Sequence, residues 1–93
     1  MAFYVYIVAN LKTGALYTGH TDDIVRRAGE HRDGIKSSWA AQHGCRTLVW
    51  YSEFPTRGEA RSRERQMKKW KRAWKIREIE ALNPDWVDLL DGL

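Results

Sequence analysis

The sequence predicts a small α+β domain, a three-stranded, mainly antiparallel sheet flanked by helices. Three observations carry that expectation. Two runs rich in aromatic and β-branched residues, 2–9 and 15–18, are separated by turn-forming residues, and a third such run follows at 46–52. A helical period with capping signals lies between the second and third runs. A longer helical stretch follows the third. With 93 residues, 43% of them hydrophobic, the chain can build one core but not two, so residues 1–93 read as a single domain.

In the first strand Phe3, Val5 and Ile7 fall on one face and Tyr4 and Tyr6 on the other. Asn10 to Gly14 supplies a hairpin turn, after which Ala15 to Thr18 returns antiparallel and brings Tyr17 near Tyr6. Gly19 reads as the exit from that strand, and Thr21 or Asp22 as the cap of a helix running from about Asp22 to Arg32. Its apolar positions Ile24, Val25 and Ala28 keep a helical period, and Asp33-Gly34 ends it. Arg27 and His31 share one face of this helix, bordering the Ile24/Ala28 stripe.

Ile35 to Gly44 is the least regular stretch. Ser37 and Ser38 could cap a short helix through Trp39 and Gln42, stopped by Gly44, with Lys36 and His43 flanking it. Trp39 reads as a core or lid residue, with stacking on an unpaired base as the alternative. The third strand, Arg46 to Ser52, places Leu48 and Trp50 on one face and Val49 and Tyr51 on the other. Phe54-Pro55 closes it, and Thr56 with Glu59 forms a capping-box signature. In the helix that follows, Ala60, Glu64, Met67 and Lys71 share a face, with Arg63, Trp70 and Trp74 adjoining. A break is expected between Trp70 and Ala73. The helical pattern then continues through Trp74, Ile76, Ile79 and Leu82 until Asn83-Pro84 stops it. Trp86, Leu89 and Leu90 predict a short terminal helix folded back over the core.

Charge is unevenly distributed. The net charge is +4, yet between Arg57 and Arg77 ten basic residues face two acids, so the rest of the chain is net acidic. Such concentration points to a polyanionic partner, with nucleic acid the commonest and a solvated basic helix the alternative. Arg61, Arg65, Lys68, Lys69, Lys71 and Arg72 are the candidate contacts. A single cysteine, Cys45, excludes an intramolecular disulfide and a cysteine-based zinc cluster, which suits a cytoplasmic location. The apolar opening run is short and lacks a basic leader, so it reads as a strand rather than a signal peptide or membrane span.

Two features point to chemistry. A phenol (Tyr17), a guanidinium (Arg27) and an imidazole (His31) can converge at one strand-to-helix turn, as an anionic substrate undergoing proton transfer requires. Glu64 is an acid on the inward face of an otherwise basic helix, which solvation explains poorly. A salt bridge to Arg61, Arg63 or Lys68 is one explanation.

Tyr4-Val5-Tyr6 followed by Tyr17-Thr18-Gly19, then a helix with Arg27 and His31, resembles the GIY-YIG nuclease family. The likeness is closest to its small stand-alone bacterial members. Glu64 within Ala-Arg-Ser-Arg-Glu-Arg-Gln-Met-Lys-Lys-Trp extends it. Tyr4 stands where the family name has glycine, and Thr18 is the middle residue of the second motif. The resemblance implies a metal-dependent DNA endonuclease, with RNA left open as substrate and no small-molecule cofactor or membrane partner. It implies that Glu64 holds one Mg²⁺ or Mn²⁺, that Arg27 stabilises charge on the phosphoryl oxygens, and that Tyr17 takes the proton from the attacking water. Tyr6 and His31 would orient the water or exchange protons with Tyr17, and among Tyr17, Tyr6 and His31 the base stays open. A lone domain suggests single-stranded or branched DNA. Asn83 is either a late polar member of the site or a helix stop. The rival reading is a non-catalytic nucleic-acid-binding module with a vestigial site.

Overall fold

The computed structural model describes residues 2–10, 14–34 and 39–93. Its sheet has the order β2-β1-β3, with β1 (Phe3–Ala9) antiparallel to both β2 (Leu16–Thr21) and β3 (Thr47–Phe54). The central strand is covered on both faces, which is why Val5 to Ala9 are all buried despite alternating sides. On one face Val5, Ile7 and Ala9 pack with Ala60 and Met67 of α3 (Arg57–Lys68) and Ile79 of α4 (Arg72–Leu82). On the other, Tyr6 and Val8 pack with Ile24 and Ala28 of α1 (Ile24–Asp33) and Ala40 of α2 (Trp39–Gln42). The face assignment of Tyr4 and Tyr6 against Phe3, Val5 and Ile7 therefore holds.

The second strand is longer than the sequence suggested. Tyr4, Val5 and Tyr6 pair with Thr21, His20 and Gly19, so Gly19 lies inside β2 rather than at its exit. The ladder supplied by β1 carries the strand through residues whose local signals suggest a turn. The helix start moves accordingly: Asp23, not Thr21 or Asp22, is the N-cap, its carboxylate accepting from Arg26 N at 3.0 Å. Gly34 ends α1 in the left-handed conformation, with φ 64°, and its N–H reaches the carbonyls of Glu30 and His31. Asn10 braces the hairpin, its side-chain oxygen accepting from Ala15 N at 2.7 Å. Lys36, Ser37 and Ser38 fall outside the described residues. α2 is followed by Gly44 at φ 68°.

β3 also departs from simple alternation. Ile7 pairs with Trp50 but Val8 with Leu48, so Val49 is the extra residue of a β-bulge. Val49 and Trp50 consequently pack on the α3/α4 face, while Leu48 and Tyr51 pack on the α1 face. Beyond the sheet, Thr56 caps α3 through Glu59 N at 3.2 Å, and the chain breaks at 69–71 before α4, near the expected place. Lys71 thus caps α4 instead of extending the α3 face. Asn83 ends α4 and is buried, donating to the carbonyls of Val49 and Val87 at 3.1 and 2.8 Å. It ties the terminal segment to the sheet. Trp86 covers the α3/α4 face, and a 3₁₀ turn at Leu89–Gly92 places Leu89 and Leu90 against the other core.

Candidate active site

Tyr6 lies at the centre of the candidate site, and the register explains how. It faces Gly19 across the β1–β2 pair, and Tyr17 is its diagonal neighbour on the same face, with ring centroids 6.5 Å apart. α1 packs over this face through Ile24 and Ala28, and its helical period swings Arg27 and His31 onto the Tyr6 hydroxyl. Arg27 Nε donates to that oxygen at 3.2 Å, and His31 Nε2 lies 2.9 Å from it. The His31 ring also lies 5.6 Å from the Tyr17 ring. Four of the expected residues, Tyr6, Tyr17, Arg27 and His31, are therefore in one cluster.

Burial dominates the phenol of Tyr6 and pushes its pKa up to about 12, against the opposing pull of Arg27. Tyr6 stays protonated at neutral pH. Its hydroxyl is held by both Arg27 and His31. Arg27 is steadied from its other side by Glu30, whose carboxylate accepts from Nη1 at 3.1 Å. Sequence reasoning passed over Glu30, although its three-residue spacing from Arg27 was the available signal.

Glu64 reaches the site from the other side of the sheet, and its partners are specific. His20 Nδ1 lies 2.5 Å from Oε1, and Lys68 Nζ lies 2.7 Å from Oε2. Of the salt-bridge partners expected from sequence, Lys68 is the one found. Burial opposes ionisation of Glu64, but hydrogen bonds from Lys68 and His20 outweigh it and hold the carboxyl below the usual range. Lys68 also sits over the Tyr17 ring, 5.7 Å from its centroid, and the charge of Glu64 adds to the rise at Tyr6. Lys68 thus links the carboxylate to the aromatic cluster. His20, Arg61, Glu64, Arg65 and Lys68 line an open pocket of about 240 Å³.

The basic candidates Arg61, Arg65, Lys68, Lys69, Lys71 and Arg72 are all exposed. Arg72 additionally donates to the carbonyl of Gly14, tying the start of α4 to the β1–β2 hairpin. Trp39 is not a core residue: it is 47% exposed, stacks on His43 with centroids 4.0 Å apart, and lies 6.4 Å from the Tyr17 ring. Asn83 is spent on bracing Val49 and Val87, as described above.

A family model for the GIY-YIG catalytic domain matches residues 2–77. The chain belongs to the GIY-YIG family. Among its relatives, a UPF0213 protein of Staphylococcus saprophyticus is 36% identical over 76 residues, covering 82% of this chain and 92% of that one. A UPF0213 protein of Clostridium perfringens is 35% identical over 78 residues, covering 84% and 83%. The solution NMR structure of a UPF0213 protein from Bacillus halodurans matches with a TM-score of 0.57 at 31% identity, covering 95% of this chain and 93% of that one. In this GIY-YIG domain the final glycine of the second motif is Gly19, where a β-carbon would meet the Tyr6 hydroxyl oxygen at 2.6 Å. Tyr4, standing where the family name has glycine, packs edge-on against Tyr51, 6.3 Å between centroids.

The family is a nuclease family, and its chemistry calls for a divalent ion. Among the described residues no three His, Cys, Asp or Glu side chains are grouped to hold a metal. Glu64 and His20 still offer an ionised carboxylate and an imidazole at an open pocket. The carboxylate by itself fits a divalent ion that keeps most of its waters and takes substrate phosphate as further ligands. Among the described residues no helix is long and apolar enough to cross a membrane.

Proposed function

We propose that this GIY-YIG domain is a metal-dependent endonuclease that hydrolyses phosphodiester bonds in DNA, with single-stranded or branched DNA preferred. The observation carrying this reading is the Tyr6 hydroxyl held between Arg27 and His31, beside Tyr17 and within electrostatic reach of Glu64. A merely structural cluster has no need of a half-buried guanidinium and a buried imidazole on one phenol, since taking such groups from water is costly.

The residues divide the work as follows. Glu64 would hold the divalent ion, which supplies charge at the scissile phosphate and its leaving oxygen. Arg27, oriented by Tyr6 and Glu30, offers guanidinium donors to the phosphoryl oxygens as negative charge builds there. Tyr17, once its own phenolic proton has passed to His31, takes the proton of the attacking water. Tyr6, with its phenol near 12, serves as a positioning residue and not as the base. His31, touching Tyr6 and packed near Tyr17, exchanges protons with Tyr17. Arg61, Arg65 and Lys68 meet the phosphates flanking the cut, with Lys69, Lys71 and Arg72 extending the basic surface.

Preference for unpaired strands is supported by Trp39, an exposed indole beside the Tyr17 ring on which a splayed base could stack. The 93 residues would act as one catalytic unit in the cytoplasm. Incubating the purified chain with labelled single-stranded, duplex and forked DNA, with and without Mg²⁺ or Mn²⁺, tests the proposal. Metal-dependent products, most abundant on unpaired or forked strands, are expected. Binding without any products would favour the alternative of a nucleic-acid-binding module with a vestigial site, and an RNA arm decides between the two nucleic acids.

A further inference from the structure

We propose that His20 is a second metal ligand beside Glu64, making the site an imidazole–carboxylate pair that favours Mn²⁺ and later transition metals over Mg²⁺. The proposal deepens the nuclease reading and rests on a divalent ion at Glu64.

The two donor atoms already meet through a proton that an incoming ion would displace, the imidazole taking its Nε2–H tautomer. His20 Nδ1 and Glu64 Oε1 are 2.5 Å apart, although 44 residues separate them in the chain. Two cis ligands of an octahedral ion with bonds of roughly 2.1 Å stand about 3 Å apart. A further opening of about half an ångström therefore admits an ion between them, a movement that side-chain torsions alone supply. Neither backbone needs to shift. His20 is set by its pairing with Val5 in the ladder, and α3 is anchored by Ala60 and Met67, both 0% exposed. The side chains are 27% and 14% exposed and line the same pocket, so solvent and substrate phosphate can complete the coordination sphere.

Donor chemistry sets the preference. Mg²⁺ favours oxygen and sheds water reluctantly, whereas an imidazole nitrogen raises affinity along the series from Mn²⁺ to Ni²⁺ and Zn²⁺. Lys68 is the competitor. Its ammonium holds Glu64 Oε2 at 2.7 Å, but the side chain is 50% exposed and free to turn toward a phosphate when a cation arrives. Arg61 and Arg65 add positive charge at the pocket, so the ion is held weakly until substrate phosphate joins it.

Paramagnetic broadening detects weak binding and needs no turnover. The full chain with labelled histidine rings is titrated with MnCl₂, and competition with MgCl₂ gives the relative affinity. The His20 ring is expected to broaden before those of His31 and His43. His20→Asn should weaken Mn²⁺ binding by about tenfold or more and Mg²⁺ binding by much less, while Lys68→Met strengthens both. Amide spectra confirm that each variant is folded. If the His20 ring broadens no earlier than the others, or His20→Asn leaves the Mn²⁺ affinity unchanged, His20 is not a ligand. Glu64→Ala separates the two ideas: loss of binding there, with His20→Asn unaffected, removes only the His20 proposal. Retained binding in Glu64→Ala removes the metal reading as well.

Discussion

Gly19 faces Tyr6 across the β1–β2 pair, and a β-carbon at residue 19 would come within 2.6 Å of the phenol oxygen and 2.7 Å of Cζ. The Tyr6 ring cannot swing away easily. It is 1% exposed, and its hydroxyl is engaged by both Arg27 and His31. Gly19→Ala is therefore expected to cost about 1–3 kcal/mol through overpacking. Cleavage should fall more than stability predicts, because the displaced phenol disturbs Arg27 and His31 together. Urea denaturation and a cleavage assay on the same preparation check this, and unchanged stability would show that the close approach is easily relieved.

Tyr17→Phe and Glu64→Ala are each expected to lower cleavage by about 10²-fold or more while leaving the fold intact. Of the two partners of Glu64, Lys68 is half exposed and such pairs are worth at most about 1 kcal/mol, and the His20 contact lies at the rim of an open pocket, so losing the carboxylate is expected to leave the fold standing. Rates on single-stranded DNA, with circular dichroism of each variant, provide the test. Full metal-dependent activity in Glu64→Ala would remove the mechanism.

The phenol of Tyr6 gives a pH signature. Burial, opposed by Arg27, raises it from 10.0 to about 12, so the folded chain holds this proton more tightly than the unfolded one. Its contribution to stability is fully present below pH 10 and is lost as the pH rises through 12. Tyr6→Phe has no proton to lose there, and its stability should fall less steeply than the wild type across that window. Denaturation midpoints at neutral pH and in the alkaline window measure the difference. Equal slopes would mean that the hydroxyl is not shielded from solvent.

Trp39→Ala should weaken single-stranded oligonucleotide binding by about 1–3 kcal/mol and change duplex binding little. Fluorescence anisotropy of labelled strands reads both. A parallel loss on duplex would assign Trp39 to general packing near Tyr17 instead of base stacking.

Arg61→Ala and Arg65→Ala should each weaken binding alike on different sequences and lower the slope of log affinity against log salt by about 1. Anisotropy titrations over a range of KCl concentrations give the slope. Were both slopes to stay at the wild-type value, the phosphate track would have to run elsewhere on the basic surface.

Much of the fold was determined by the sequence alone, because the deciding signals lie between near neighbours. Thr56 with Glu59, Gly34 after a periodic run, and Asn83 before Pro84 each mark a helix end through contacts a few residues apart. The cluster of Tyr6, Tyr17, Arg27 and His31 was foreseeable for the same reason, since a hairpin and the helix that follows it are local in the chain. Pairing between distant segments decided the rest. The bulge at Val49 and the inclusion of Gly19 in β2 depend on which residues β1 places opposite them. The meeting of His20 with Glu64 depends on α3 docking against the sheet, and no pattern within either segment encodes that distance. Propensity and periodicity act over a turn or two of chain. Register and helix docking are settled by burial across the whole core, so only the tertiary structure specifies which carboxylate stands beside which imidazole.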